Sequence, residues 1–509
     1  MTKHNNAKPS SESWKNLQWK QFQIQMFRLQ RKIHEAVRAG DMARAIRFQK
    51  LLMRSRAAQL LAIRQVTQLN AGKKTAGIDG KTALSFGERF ELLTRLKNEA
   101  MNWKHSRLRE IPIPKKNGKM RILKVPTIAD RAWQCLVKFA LEPAHEVTFH
   151  ARSYGFRTGR SAHDAQKYIF TNLNSSNKGY EKRVLELDIE KCFDRISHKA
   201  ILDRLIAPQC VKQGIQRCLN AGVNPEFPTQ GTPQGGVISP LLANIALNGI
   251  EEIHPSVRYA DDMVFFLKPK DDAELILKKV EDFLAERGMQ VSKTKTKVTA
   301  TQDGFDFLGW KFVVQKKNDK FKCYPSKENY EAVIRKIKKV VNCSNYGAEV
   351  KAQKLGPIVR GWRNYHKHCK MGGHNLSQTR RRAWRVFNKE SRLNRYQTSA
   401  LIKKAFPAVS YSENKFVMVA GNKSPYDGDV VYWAKRNSKM YNGPTVKCLR
   451  KQDHSCGYCG LKFIDGEQVH LHHIDGNHNN WKPANLSAVH ESCHDYIHMG
   501  KGRGTKAKA

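Results

Sequence analysis

Eleven residues constrain this chain more than any others: Val257-Arg258-Tyr259-Ala260-Asp261-Asp262-Met263-Val264-Phe265-Phe266-Leu267. β-Branched and aromatic runs on either side of an acidic pair read as strand, turn, strand. Asp is depleted in strands, and neighbouring carboxylates repel. An ordinary acidic hairpin turn answers the first objection, since Asp is common in turns. A hairpin tip that holds divalent cations answers both. The tetrapeptide alone leaves the two readings level, and the rest of the chain separates them.

A second carboxylate stretch, Val184-Leu185-Glu186-Leu187-Asp188-Ile189-Glu190-Lys191-Cys192-Phe193-Asp194, ends an apolar run on Asp188. If that run is a buried strand beside the hairpin, Asp188, Asp261 and Asp262 converge. Three carboxylates at one point repel too strongly to persist without metal, and two Mg²⁺ ions are the usual answer in phosphoryl-transfer polymerases. With Tyr259-Ala260-Asp261-Asp262 as its Tyr-x-Asp-Asp box, the sequence resembles the reverse transcriptase family.

The chain has 509 residues, enough for three or more modules. Its 91 Lys and Arg against 45 Asp and Glu leave a formal charge of +46. Such an excess repels itself in a compact protein unless a polyanion is the partner. Nucleic acid is the leading partner, and its binding is expected to weaken steeply with salt. An anionic membrane surface is the runner-up, but no apolar run approaches a spanning helix. The polar stretch Met1 to Ser13 has no signal-peptide apolar region. The eleven cysteines are scattered except for Cys456, Cys459 and Cys493, which suggests a reducing, cytoplasmic setting.

Residues from Trp14 to about 70 read as two basic amphipathic helices broken at Gly40-Asp41, with Asp41 as N-cap. Their basic faces suit either solvent or RNA. Ala76-Gly77-Ile78-Asp79-Gly80 is a glycine-bounded turn, similar to the N-terminal motif of group II intron reverse transcriptases. Ile111 to Leu123 reads as a hairpin through an Asn117-Gly118 turn. Alternation puts Lys115 and Arg121 on one face, where they suit a triphosphate or a template backbone; the alternative is an exposed basic hairpin. In the reverse transcriptase family this is the fingers hairpin, which implies triphosphate contact by both residues.

Ser153-Tyr154-Gly155-Phe156-Arg157-Thr158-Gly159-Arg160-Ser161 leads into a helix, and its two Arg among glycines suit an anion-binding loop or a solvated surface loop. Its resemblance to a fingers motif of the group II intron type implies template or nucleotide contact by Arg157 and Arg160. The same resemblance makes Phe193 the steric gate beneath the sugar, and Gln234 and Gly235, in Gln230-Gly231-Thr232-Pro233-Gln234-Gly235-Gly236, dNTP-pocket residues. Small residues there let the backbone approach substrate. Asp271 is expected to N-cap a helix with Glu274 in a capping box and Gly288 at its end, its Leu275, Leu277, Val280, Phe283 and Leu284 packing under the sheet. In Ser292-Lys293-Thr294-Lys295-Thr296-Lys297 the residue that matches the family's triphosphate lysine is Lys295, and Phe305 to Trp310 resembles a primer-grip turn.

Downstream, a helix from about Pro325 carries Arg335, Lys336, Lys338 and Lys339 outward, and a second runs from Gly356 to His368. Arg360, Trp362 and Arg363 on it interleave aromatic and cationic groups suited to stacking and phosphate contact, or simply to a wet basic bundle. This region resembles the thumb, or maturase domain X. Charge alone, including Arg380-Arg381-Arg382, suggests DNA binding after it.

Near the C-terminus, Cys456-x₂-Cys459 and His490-x₂-Cys493 have the spacing of a tetrahedral structural zinc. His494 and His498, four apart, share one helix face, as two imidazoles on one metal require. Together with His472-His473 and Asn485 the pattern resembles an HNH endonuclease. That resemblance implies His473 as general base, His472, His494 and His498 on one divalent ion, and Asn485 orienting the loop of the base. A zinc ribbon that only binds DNA accounts for the cysteines and leaves the four histidines without a role.

The expectation is therefore α+β: a right-hand polymerase with fingers, ferredoxin-like palm and helical thumb, plus a small ββα-metal HNH zinc domain. Its parts are a basic helical extension (1–69), fingers and palm (70–312), thumb (313–376), a DNA-binding region (377–447) and the nuclease module (448–509). The combination resembles the protein encoded by a mobile group II intron. That resemblance implies RNA-directed DNA synthesis with two Mg²⁺ on Asp188, Asp261 and Asp262, splicing of the intron RNA, and nicking of double-stranded target DNA by a ribonucleoprotein. A splicing-only RNA-binding protein and a defence or retron-type reverse transcriptase are the alternatives.

Overall fold

The computed structural model describes residues 14–499 except 115–117, 119, 223–226, 392–393, 414, 430–431, 434–435, 437–440, 442, 464–468 and 479. Three helices open it: α1 (Trp19–Arg38), α2 (Met42–Arg54) and α3 (Arg56–Arg64). The break falls at Gly40, whose φ of +77° suits glycine, and the Asp41 carboxylate accepts from the Arg44 amide as N-cap. Two helices were expected; Ser55 adds a second break, capping α3 through the Ala58 amide. Trp19, Met26 and Ile33, seven apart, face inward, while the Gln49 amide donates to the Ala140 and Ile206 carbonyls. The extension is thus part of the main core and not a separate module.

After α4 (Phe86–Glu99), strands β1 (Arg109–Pro114) and β2 (Met120–Val125) form a two-stranded antiparallel ribbon, followed by α5 (Ile128–His145) and α6 (Ala162–Leu173). The palm sheet comes next: β3 (Arg183–Leu187), then α7 (Ser239–Leu247), β4 (Ser256–Tyr259), β5 (Asp262–Leu267), α8 (Ala273–Ala285) and β6 (Lys297–Ala300). Its order β4-β5-β3-β6, antiparallel throughout, is that of a ferredoxin-like sheet. Met263, Phe265 and Leu267 enter one core, and Val264 and Phe266 enter another on the opposite face. A sheet covered on both faces explains why β5 has no polar residue after Asp262. Helix α8 is capped by Asp272 and not Asp271; Ile276, Val280 and Leu284 are buried, Leu277 and Phe283 pack against the same core as expected, and Leu275 is 53% exposed.

A three-stranded sheet, β7 (Phe305–Phe307), β8 (Trp310–Val314) and β9 (Phe321–Pro325), leads to four helices: α9 (Lys327–Val341), α10 (Ala348–Tyr365), α11 (Ser377–Ser391) and α12 (Arg395–Ala405). Val333, Ile337, Leu355, Val359, Phe387 and Ile402 share one core, so the thumb extends past the boundary expected at 376. The Tyr365 ring stacks on Trp310 at 4.4 Å and its hydroxyl donates to the Leu308 carbonyl, seating the thumb on the β7–β8 turn.

The described part of the stretch that follows, expected as a DNA-binding region, packs against the rest of the chain. It crosses back over the fingers, where Arg436 donates to both oxygens of the buried Asp164 carboxylate at 2.9 Å and the Val419 amide donates to the same group. Last come α13 (Gly443–Lys451), the hairpin of β10 (Val469–His473) and β11 (Leu486–His490), and α14 (Glu491–Met499). Among the described residues no helix is long and apolar enough to cross a membrane.

Candidate polymerase site and C-terminal metal cluster

Register places the carboxylates. Leu187 pairs with Met263 and Tyr259 with Asp262, so Asp188 emerges from β3 beside the two-residue turn Ala260-Asp261. Asp188 and Asp261 line a cleft of about 2000 Å³ together with Arg121, Phe193, Gln234, Gly235 and Lys295. Seven residues read from five separate motifs meet in one place. Arg121 Nε donates to Gln234 Oε1 at 2.5 Å, and the Lys124 amide donates to the Gln234 carbonyl at 2.8 Å, joining the fingers ribbon to the glycine-rich loop. Lys295 Nζ lies 2.9 Å from Asp188 Oδ2. Lys115 lies outside the described residues.

The electrostatics suit a cation. Burial in the cleft raises the Asp261 carboxyl above its ordinary value, and the charge of Asp188 raises it further. Burial, then Asp261, then Asp188 push Asp262 up to about 6. Carboxylates that raise one another in this way suit divalent metal, whose charge reverses the penalty. The sign is definite. An acid whose folded pKa is raised holds a proton that a metal must displace, so Mg²⁺ held by these carboxylates would bind most tightly above about pH 6 and more weakly below it. Calorimetric titration should show Mg²⁺ binding weakening by up to about tenfold per pH unit below that point; equal affinity on both sides of it would reject the carboxylate site.

The hairpin tip has a brace that the sequence motifs did not single out. Ala260 has φ of +60°, a left-handed conformation that alanine rarely adopts. The fully buried Arg258 holds it there: Nη1 donates to the Ala260 carbonyl at 3.1 Å and to Asn244 Oδ1 at 2.9 Å, and Nε pairs with Glu251. Burial, the largest single influence, raises the Glu251 carboxyl, but the Arg258 charge and the hydrogen bonds from the backbone and from Arg258 together bring the group below its ordinary value. Asn244 in turn donates to the Gly155 carbonyl, and a Cβ at Gly155 would collide with the Ala260 amide. Alternation would have betrayed this arginine, since a charge stands where the strand face is buried.

Four of the five expected nucleic-acid contacts have partners inside the protein. Arg157 is 4% exposed; its guanidinium grips Glu146 through two nitrogens and donates to the His150 and Ser153 carbonyls. Arg160 is 5% exposed and donates to the carbonyls of Ala151, Gly421 and Lys423. Burial, chiefly, lowers its pKa to about 10. These arginines fasten the fingers and the crossing segment instead of meeting template. Trp362 lies in the thumb core with its Nε1 donating to Asn329, so it is not a stacking platform. Arg363 donates to the Phe406 and Pro407 carbonyls, whereas Arg360 is exposed.

At the C-terminal end, ligand atoms of Cys456, Cys459, His490 and Cys493 all lie within 4.8 Å of one another, as do those of His472, His494 and His498. The first set is mostly buried and closed, with His490 Nδ1 3.4 Å from Cys459 Sγ, and its donors fit structural Zn²⁺. The second is all imidazole, with His494 and His498 Nε2 atoms 3.2 Å apart, a spacing that fits a shared metal. His473 Nδ1 lies 3.1 Å from the Asn480 carbonyl, so it carries the proton and leaves Nε2 as a base. Asn485 donates to Asp475 Oδ1 and to the Asn480 carbonyl, and accepts from the Asp475 amide, pinning the loop beyond His473.

Comparison with known proteins agrees with the cleft. Residues 113–312 match the family "Reverse transcriptase (RNA-dependent DNA polymerase)", 14–96 the "N-terminal domain of reverse transcriptase" and 330–401 the "Group II intron, maturase-specific domain". Maturase-like protein 1 of Euglena gracilis is 37% identical over 455 residues, 89% of this chain and 98% of that protein. The chain belongs to the group II intron reverse transcriptase/maturase family. Protein YkfC of Escherichia coli is 30% identical over 53% of this maturase and 84% of its own length. The group II intron-encoded protein LtrA of Lactococcus lactis is 35% identical over 40% and 33% of the respective chains. The maturase-specific domain implies that this protein binds intron RNA, and its matched residues 330–401 reach into α12, as the shared thumb core does.

Proposed function

We propose that this maturase makes DNA on an RNA template in the palm cleft, grips its intron RNA with the thumb, and nicks target DNA with the C-terminal module. The observation that carries the polymerase reading is the convergence of Asp188, Asp261, Arg121, Gln234 and Lys295 on one cleft. Two divalent ions held by Asp188, Asp261 and Asp262 would supply charge at the primer 3′-oxygen and the leaving pyrophosphate. Arg121, fixed by Gln234, and Lys295 on its mobile stem are placed to neutralise an incoming dNTP. Phe193 lines the same cleft as the gate beneath the sugar. On the thumb, Arg335, Lys336, Lys338 and Lys339 are exposed along α9 and offer an RNA backbone a basic stripe.

In the C-terminal module, a ββα unit carries the base and the three-histidine cluster, and the Cys₃His set would hold zinc as its clamp. His473 Nε2, oriented through Nδ1, would take the proton from an attacking water, while a divalent ion on His472, His494 and His498 would supply Lewis acidity at the scissile phosphate. The nicked strand then presents a 3′-OH to the palm, which makes the two activities successive steps of intron insertion.

Primer extension on an RNA template with Mg²⁺ and dNTPs tests the first activity. For the second, His473→Ala should lower nicking of a target duplex by about 10² to 10⁴, the usual worth of a general base. Primer extension should be unchanged. Nicking at the wild-type rate would remove His473 from the mechanism.

A further inference from the structure

The C-terminal module is seated on the N-terminal helices. Leu461 is buried in the main core, and the Gln23 side chain of α1 bonds both the amide and the carbonyl of Lys462, at 2.7 and 3.4 Å. At the centre of this seat Arg64, the last residue of α3, places Nη2 3.5 Å from Cys493 Sγ. Arg64 is 4% exposed, and its guanidinium lies 4.5 Å from the centre of the Trp19 ring. Among the described residues its Nε and Nη1 have no hydrogen-bond partner. A turn of π-helix, Gln65–Leu69, follows directly. Such wide turns often mark sites with a task.

A buried guanidinium with two idle donors is unfavourable unless a negative charge stands beside it. The ring face supplies part of that compensation. The Cys₃His set supplies the rest when it holds zinc, because three thiolates and a neutral imidazole around a dication leave one net negative charge. Cys493 is both a member of that set and the residue that Arg64 reaches.

We propose that Arg64 is a positioning residue for the C-terminal zinc site, its charge balancing the metal-thiolate cluster from the other end of the chain. Zinc loading and the docking of the module on α1 and α3 are then a single event. The consequence is functional: a chain without zinc loses not only the fold of its own module but the fixed separation between nicking site and palm. The inference rests on the zinc reading made above and goes beyond it.

The test uses the full-length chain. Zinc content is measured by mass spectrometry, and zinc release to a chromophoric chelator is timed for wild type, Arg64→Met and Arg64→Lys. Wild type should hold about one zinc per chain. Arg64→Met should release it about 10- to 100-fold faster, the usual effect of losing a partner behind a metal ligand. Arg64→Lys, which keeps the charge but not the fork, should fall between. Primer extension, which needs none of these residues, reports that the polymerase is folded. Should Arg64→Met not fold, the wild type answers alone: stripping zinc should lower hydrogen-exchange protection at the end of α3 and in the turn after it, Arg64 to Leu69. Zinc present, with release or protection unaltered, overturns the role of Arg64 only. A wild-type chain without zinc overturns the zinc reading and this inference with it.

Discussion

Asp261→Asn is expected to abolish DNA synthesis while leaving the protein folded and bound to RNA. Asn keeps the shape of the side chain and removes its charge, at a turn position that lines the cleft and not the core. Metal charge at the reacting phosphate contributes several kcal/mol, and each 1.4 kcal/mol or so is a factor of ten in rate. A fall of about a thousandfold or more in primer extension follows. RNA binding draws on a different resource, the +46 charge spread over helices such as α9, so its affinity and salt slope should be unchanged. Extension within tenfold of wild type would reject Asp261 as a metal carboxylate. Loss of RNA binding along with synthesis would mean that the hairpin tip is structural.

Arg258→Met should cost about 3–5 kcal/mol of stability, the effect of leaving one member of a buried ion pair without the other. Both side chains are fully buried, so the Glu251 carboxylate has no water to turn to. The same substitution removes the donor that holds the Ala260 carbonyl, so synthesis should fall further than stability alone explains. A second substitution separates these effects. Arg258→Met with Glu251→Met removes both charges, and the melting temperature should return most of the way. Primer extension should stay low, because nothing then braces the left-handed turn at Ala260. Recovery of both properties would make Arg258 a packing residue only; an unchanged melting temperature in the single variant would reject the buried pair.

Local chemistry explains why so much of the cleft was legible. The Asp261-Asp262 pair, the apolar run ending on Asp188 and the glycine-rich loop at Gln234 each break an ordinary propensity in a short window. Such breaks mark sites where function overrides the local rule. Spacing alone also grouped Cys456 with Cys459 and His490 with Cys493, because ligands on a tight turn and a helix end must lie a few residues apart. The errors share one physical cause. Arg157, Arg160 and Trp362 carry the chemistry of nucleic-acid contact, but a guanidinium satisfies a buried carbonyl or Glu146 as well as a phosphate. Which of these it meets depends on what packs over it.

Sequence by itself picked out the residues that meet in the cleft, the alternation of the palm strands and a polyanionic partner, because turn chemistry, two-residue periodicity and net charge are local or additive properties. Only the tertiary structure decided which charges are spent inside the protein. Arg258 on Glu251, Asp164 on Arg436 and Arg64 on Cys493 join residues 7, 272 and 429 positions apart. No window of sequence contains the longer two pairs; burial, which removes water as the competing partner, is what makes all three.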